Sequence, residues 1–250
     1  MRRMFKILFR VFLGILLGVV IYEGYMFSQV RRLGSGNPAT TSLIEARASE
    51  ARARGEQPRR EQVWVSLDRI SPNLQRAVLA GEDTNFVTHN GFDYKAIQKT
   101  WDEALRDAAR EAKNEGENDD WLPNIPEFKR GASTVSQQLA KNLYLSSRRS
   151  FFRKGQEAVL TLMLERTLSK HRLLEIYLNV IEWGDGIYGA EAASQYYFHK
   201  PASALNANQA AFLSAMIPNP RTVFNPRVNP RRVARRQRII ARGMPYVRIP

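Results

Sequence analysis

The chain has no cysteine among its 250 residues. Disulfide frameworks, thiolate metal sites and cysteine nucleophiles are therefore excluded, and the composition suits an export compartment. Histidine is scarce, at three residues. Neither His171 nor His199 has a partner pattern such as HExxH, so both read as structural or surface residues. Acidic residues are outnumbered: 24 Asp and Glu stand against 38 Lys and Arg, a formal net charge of +14. That excess points to an anionic partner: nucleic acid, acidic lipid headgroups or a phosphorylated substrate. The sequence has no internal repeat, and long hydrophobic runs are lacking except at the N-terminus.

That exception is "MRRMFKILFRVFLGILLGVVIYEGYMF". The uninterrupted stretch Val11–Tyr22 is short of the about 20 residues that a membrane span requires. Extended from Phe5 to Phe27 it is long enough, provided that Lys6 and Arg10 snorkel and Glu23 lies at the far interface. The following "SQVRRLGSGNPA" offers no small-x-small cleavage site, so residues 1–30 are expected to form an uncleaved signal anchor. Arg2, Arg3, Lys6 and Arg10 put more positive charge before the span than follows it, which leaves the N-terminus cytoplasmic and the rest of the chain outside. Nucleic acid is thereby removed as a partner, and the basic charge is assigned to lipid or phosphate.

Residues 31–60, rich in Gly, Ala, Ser, Arg and Glu, read as a tether with some helix around Leu43–Arg54. The remainder is mainly α. "VWVSL" (Val63–Leu67) is a short strand candidate. "SPNLQRAVLAGED" predicts a helix capped at Ser71, with Pro72 in its first turn and Glu82 at its C-terminal end. Tyr94–Lys113 predicts another. "STVSQQLAKNLYL" starts at Ser133 or Thr134, with Val135, Leu139 and Leu143 on one face and Gln137, Gln138 and Lys141 on the other. Further helices follow, and the last, Arg227–Arg242, is arginine-rich. Its Arg231, Arg232, Arg235, Arg236 and Arg238 read as a solvated face near anionic lipid.

Three clusters carry chemistry. In "GEDTNFVTHNGFD", Glu82 and Asp83 sit where an apolar helix meets a polar turn. Burial against Phe86 would raise a carboxylate pKa toward the range useful for proton transfer, while a solvated helix end is the alternative. In "GASTVSQQLAKN", hydroxyls and free N–H groups at a helix start can receive an anion, with Gln137, Gln138 and Lys141 one turn further on; an ordinary capped surface helix is the alternative. In "RRSFFRKGQE", Arg148, Arg149, Arg153 and Lys154 interleave with Phe151 and Phe152 ahead of Glu157. An Arg153–Glu157 surface pair would look the same, but this density of cations suits a phosphate held beside an apolar lipid.

With "LLEIYLNVIEWGDGIYGAEAASQYYF" and "MIPNP" following in order, these motifs resemble the peptidoglycan glycosyltransferases of glycosyltransferase family 51 over about residues 61–243. No transpeptidase region follows, so the single-function members are the better match. The resemblance implies a lysozyme-like larger lobe with a smaller membrane-proximal lobe, a glycosyltransferase domain over residues 61–245, and polymerisation of lipid II. It implies Glu82 as general base and Glu157 as the second glutamate, assisting the pyrophosphate leaving group directly or through a divalent cation. Lys141 and Arg149 match residues that hold the donor pyrophosphate. Ser133, Gln137 and Gln138 match the donor motif, and Arg153 and Lys154 the basic pair before Glu157. Asp83, Phe86 and His89 accompany the base, and Asn179 with Glu175 shapes the cleft.

No organic cofactor is implied, and Mg or Mn at the pyrophosphate is the one ion the resemblance admits. Expected partners are lipid II, the growing lipid-linked glycan and the inner membrane, with cell-wall synthesis or division proteins as candidates and the catalytic domain in the periplasm. Trp101–Arg130 is longer than the family usually has there. A lysozyme-like hydrolase would also use two carboxylates, but its neutral leaving group needs no cationic cluster. A membrane-anchored binding protein without catalysis would not need both glutamates.

Overall fold

The computed structural model describes residues 2–114, 133–146 and 150–250. Arg149 and the Glu115–Arg130 part of the long segment lie outside the described residues. Along the chain come α1 (Arg2–Arg32), α2 (Ser42–Ala53), β1 (Glu61–Gln62), α3 (Pro72–Glu82), α4 (Tyr94–Asn114), α5 (Val135–Tyr144) and α6 (Phe151–Thr167). Then follow α7 (Lys170–Val180), β2 (Glu182–Gly184), β3 (Ile187–Tyr188), α8 (Ala190–Phe198), α9 (Ala207–Met216) and α10 (Pro230–Gly243). The mainly α expectation holds.

The helix starts follow from local chemistry, because the first N–H groups of a helix need acceptors from outside it. Ser71 accepts from Asn73 N–H and Pro72 occupies the first helical position of α3. Thr134, rather than Ser133, caps α5, and Gln137 returns the bond to complete a capping box. Ser150 and Ser169 cap α6 and α7 by accepting from Arg153 and Arg172 N–H, and Asn206 caps α9 in a second capping box with Gln209.

The small sheet runs in the order β1-β3-β2, with β1 parallel and β2 antiparallel to β3. The strand expected at Val63–Leu67 is displaced: pairing stops at Gln62, and Leu67 already begins a 3-10 turn. A side chain takes the place of a neighbouring strand. Asn179 Nδ2 donates to the Val65 carbonyl at 2.9 Å and its Oδ1 accepts from Val65 N–H at 3.0 Å. Leu67 N–H donates to Glu175 at 3.0 Å. The backbone is satisfied by α7 and gains nothing from a longer ladder.

Helices α3, α9 and α10 pack together as one group; α5, α6 and α7 form a second, and α1 and α2 join it through α6 and α5. One continuous apolar core runs through both, with Leu74, Val78, Leu139, Leu160, Tyr177 and Trp183 fully enclosed.

The two N-terminal helices pack onto the rest of the described structure. The helix expected around Leu43–Arg54 within residues 31–60 is α2, Ser42–Ala53. Helix α2 is capped by Thr41, buries Ile44 and Ala51, and sends Arg47 to Glu182 at 2.9 Å. Its Glu50 receives Arg221 at 2.9 Å. Helix α1 continues into the folded region: its Met26 and Val30, and Leu33 just past its end, belong to the core. Arg172 ties the chain beyond α1 to α7 by donating to the Leu33 carbonyl at 2.8 Å and to Asn37 Oδ1 at 2.9 Å. Earlier in α1 the apolar side chains are exposed, Phe5, Leu8, Phe12, Ile15 and Val20 among them. A continuous sleeve of this kind is unfavourable in water and suits hydrocarbon.

Candidate active site

Glu82 is the last residue of α3, placed where the two helix groups meet. Gly81 beside it makes the approach possible, since a Cβ there would lie 2.9 Å from Ser214 Oγ on α9 and 3.1 Å from Ile240 Cδ1 on α10. The Glu82 carboxylate is gripped at both oxygens. Its Oε1 receives Arg236 Nη2 from α10 at 2.7 Å, and its Oε2 receives Gln138 Nε2 from α5 at 2.8 Å. Gln138 is fixed in turn by Tyr177 of α7, whose hydroxyl donates to Gln138 Oε1 at 2.9 Å. Burial pushes the Glu82 carboxyl above the ordinary carboxylate range, against the opposing pull of Arg236, Gln138 and Lys141.

The second glutamate sits one helix away. Glu157 of α6 is buried, with Oε2 accepting from Arg153 Nη1 at 2.8 Å and Oε1 in contact with Lys154 Nζ. Lys141, one turn along α5 from Gln138, is exposed, yet enough protein backs its amine to lower its pKa. Glu157 and Glu82 both pull it back up, while Arg153 and Lys154 push it further down. Lys141 is therefore within electrostatic reach of both glutamates, and one field connects the two clusters.

Two cavities flank this arrangement. A smaller one of about 180 Å³ is lined by Glu82, Thr84, Asp93, Ser133 and Thr134. A larger one of about 400 Å³ is lined by Gln138, Lys141, Arg153 and Tyr177, closed by Arg47 of α2 and Pro218 after α9. Glu82 and Gln138, hydrogen-bonded to each other, mark the boundary between the two.

Of the residues named from sequence, Glu82, Gln138, Lys141, Arg153, Lys154 and Glu157 come together here, and Ser133 lines the smaller cavity. Others turn inward. Asp83, expected to accompany the base, is buried; it accepts from Val135 N–H at 2.9 Å and from His89 Nε2 at 2.9 Å. His89 Nδ1 accepts from Gly91 N–H at 3.1 Å, which puts the ring proton on Nε2. Phe86 is fully enclosed beneath them. Gln137 is spent on the capping box, and Asn179 on Val65. Phe86, His89, Gln137 and Asn179 hold the site in place from behind, whereas Asp83 both braces the start of α5 and lines the smaller cavity.

Arg236 and Tyr177 were missed. The signal for Arg236 was legible: Val233, Arg236, Gln237 and Ile240 recur at helical spacing, and Val233 and Ile240 are the buried face of α10. The solvated-face reading holds for Arg231, Arg232, Arg235 and Arg238, which are exposed, but not for Arg236. His171 is a surface residue 3.5 Å from Asp68, and His199 closes α8 in a left-handed conformation.

The donor set at Glu157 does not fit a resident metal. Both of its oxygens are taken by cationic side chains, and among the described residues no group of three or more His, Cys, Asp or Glu could hold an ion.

The profile of the family described as Transglycosylase matches residues 49–117 and 120–245. The chain is 44% identical over 234 residues to a biosynthetic peptidoglycan transglycosylase of Laribacter hongkongensis, covering 92% of this chain and 93% of that protein. It is 45% identical over 232 residues to the protein of that name in Thiobacillus denitrificans, covering 93% and 92%. With the one in Chromobacterium violaceum it shares 40% over 247 residues, covering 99% and 100%. A match of this extent, over a chain in which Glu82 lines one cavity and Lys141 and Arg153 the adjoining one, shows that the chain belongs to the transglycosylase family.

Proposed function

We propose that this peptidoglycan glycosyltransferase polymerises lipid II, with Glu82 as the general base. The observation that carries the reading is a buried carboxylate of raised pKa at the boundary between a small cavity and a larger cationic one. The 4-hydroxyl oxygen of the incoming GlcNAc forms a bond to the anomeric carbon of the donor MurNAc. Its proton passes to Glu82, and the bond from that carbon to the lipid pyrophosphate breaks, the electron pair leaving on the phosphate oxygen. One displacement inverts the carbon and gives a β-1,4 linkage. A pKa raised toward the working pH strengthens the base while leaving it ionised often enough to act.

The charge that builds on the leaving group is met by Lys141 and Arg153, with Lys154 beside them. Glu157 holds Arg153 and Lys154 in place. Preorganised donors of this kind are worth about 10²–10³ in rate each. A hydrolase expelling a neutral sugar hydroxyl would have no use for the cationic cavity, which supports the transferase chemistry. The exposed apolar length of α1 supports anchoring in the inner membrane, and the charge before it supports a periplasmic catalytic domain.

The test is lipid II turnover by the purified full-length protein in detergent. Glu82→Gln keeps the shape and removes the base, and turnover is expected to fall by about 10²–10⁴ or more. A variant that keeps more than about a tenth of the parent rate would take Glu82 out of this role.

A further inference from the structure

The reaction as described uses Glu82 but leaves unexplained why an arginine from the far end of the chain is inserted behind it. Arg236 projects from the buried stripe of α10, and its Nη2 donates both to Glu82 Oε1 at 2.7 Å and to the Gly81 carbonyl at 2.9 Å. Its guanidinium carbon lies 5.6 Å from the centroid of the Phe224 ring. Its Nε is buried with no partner among the described residues, so the group is placed for Glu82 at the expense of one of its own donors. Five other arginines of α10, Arg231, Arg232, Arg235, Arg238 and Arg242, face solvent.

We propose that Arg236 is a positioning residue for the reaction: with Gln138 on the opposite oxygen, it locks the Glu82 carboxylate in the orientation that receives the acceptor proton, and it offsets the cost of holding that carboxylate as a buried anion. The inference rests on Glu82 being the base. The physical need is specific to this location. Glu82 ends α3, where the unpaired carbonyls and the negative pole of the helix dipole disfavour a second negative charge. Burial disfavours it further. One guanidinium meets both problems, because the same nitrogen satisfies an α3 carbonyl and the carboxylate. An arginine also stays charged at every pH at which the enzyme works.

The groups facing Glu82 are Arg236 from α10, Gln138 and Lys141 from α5, Tyr177 from α7, and Asp83 next in the chain. Burial drives the Tyr177 hydroxyl far above its ordinary value, so it stays neutral through the working range. Arg236 is the largest of the influences that oppose the effect of burial on Glu82. Its loss leaves that effect less opposed, and the carboxylate takes up its proton at higher pH.

The experiment is the pH dependence of lipid II turnover for full-length Arg236→Gln, Arg236→Lys and Glu82→Gln, with unfolding curves for each. Arg236→Gln is expected to lower kcat at neutral pH by about tenfold or more with KM nearly unchanged. The acidic limb of its profile should move to higher pH, so that part of the lost rate returns as the pH is raised. Arg236→Lys, which keeps the charge without the fork, should retain a limb close to the parent's with a smaller loss of kcat. An unmoved acidic limb, or a loss equal at every pH, in a folded Arg236→Gln protein overturns the proposal while leaving Glu82 as the base. If Arg236→Gln does not fold, Arg236→Lys decides: parental kcat, or a change confined to KM, overturns it. Activity in Glu82→Gln would remove the base itself, an outcome distinct from all of these.

Discussion

Asp83 leaves the helical conformation at φ −165° and ψ 77°, and that one step separates it from Glu82. Both line the smaller cavity, but Glu82 stays on the helix and meets Arg236 and Gln138, whereas Asp83 turns to α5 and accepts its first N–H. The string "GEDTNFVTHNGFD" therefore contains three acids on the wall of the smaller cavity, two of which also brace the frame: Asp83 accepts from Val135 N–H, and Asp93 accepts from Asn85 at 2.7 Å and from Ala96 N–H at 3.0 Å. At the same scale, Lys141 yields a pH prediction. The protein backing its amine strips away part of its hydration and lowers its pKa, so its charge is lost as the pH rises through a value below that of an ordinary lysine. If that charge meets the leaving group, turnover falls on the alkaline side over the same range. Lys141→Arg, charged throughout, should be slower at neutral pH because its geometry differs, yet its alkaline limb should move upward. A pH–rate profile checks this, and an alkaline limb identical in both proteins would assign it to another group.

The helices contribute through where they end and what they press against. Helix α5 places Gln138 and Lys141 one turn apart because its start is fixed three ways: by Thr134, by the Gln137 return and by Asp83. Helix α2 closes the larger cavity with Arg47 and is tied to β2 and to the stretch after α9 through Glu182 and Arg221. A tether could be cut away without loss; this helix cannot. Removing residues 1–60 deletes buried Met26, Val30, Leu33 and Ile44, and loss of one such side chain from a core typically costs about 2–5 kcal/mol. Removing residues 1–20 deletes, among the described residues, only exposed side chains. Thermal unfolding should show the shorter truncation close to the parent and the longer one strongly destabilised or unable to fold. Equal melting temperatures would restore the tether.

For the molecule as a whole, the apolar N-terminal helix and the catalytic body are one piece. Helix α1 runs without a break from exposed apolar side chains into the core, Gln156 of α6 meets Glu23 at 3.4 Å, and Arg172 holds the chain just past the helix. The orientation proposed for this body, with the N-terminus in the cytoplasm, is checked by fusing reporter enzymes after Pro250. One that works only outside the cytoplasm should be active there and a cytoplasmic one silent, and the reverse pattern would overturn the topology and weaken the substrate reading with it.

The sequence by itself determined what depends on near neighbours. Caps at Ser71, Thr134, Ser150 and Asn206, the helical apolar spacing, the apolar N-terminal run and the ordered motifs all act over a turn or two of chain. From these the mainly α fold, the apolar N-terminal helix and most of the side chains that meet at the two glutamates were legible. Only the tertiary structure decided which polar side chains face the cavities and which hold the frame. Phe86, His89, Gln137 and Asn179 carry the same motif signature as Gln138 and Lys141, and their burial depends on helices far away in sequence. Only the fold could bring Arg236 to Glu82, 154 residues earlier, or let Asn179 take the backbone of Val65 and end a strand. In each case the reason is the same. A buried charge or backbone group must find a partner once water is removed, and which partner stands within reach is fixed by packing between segments distant in the chain.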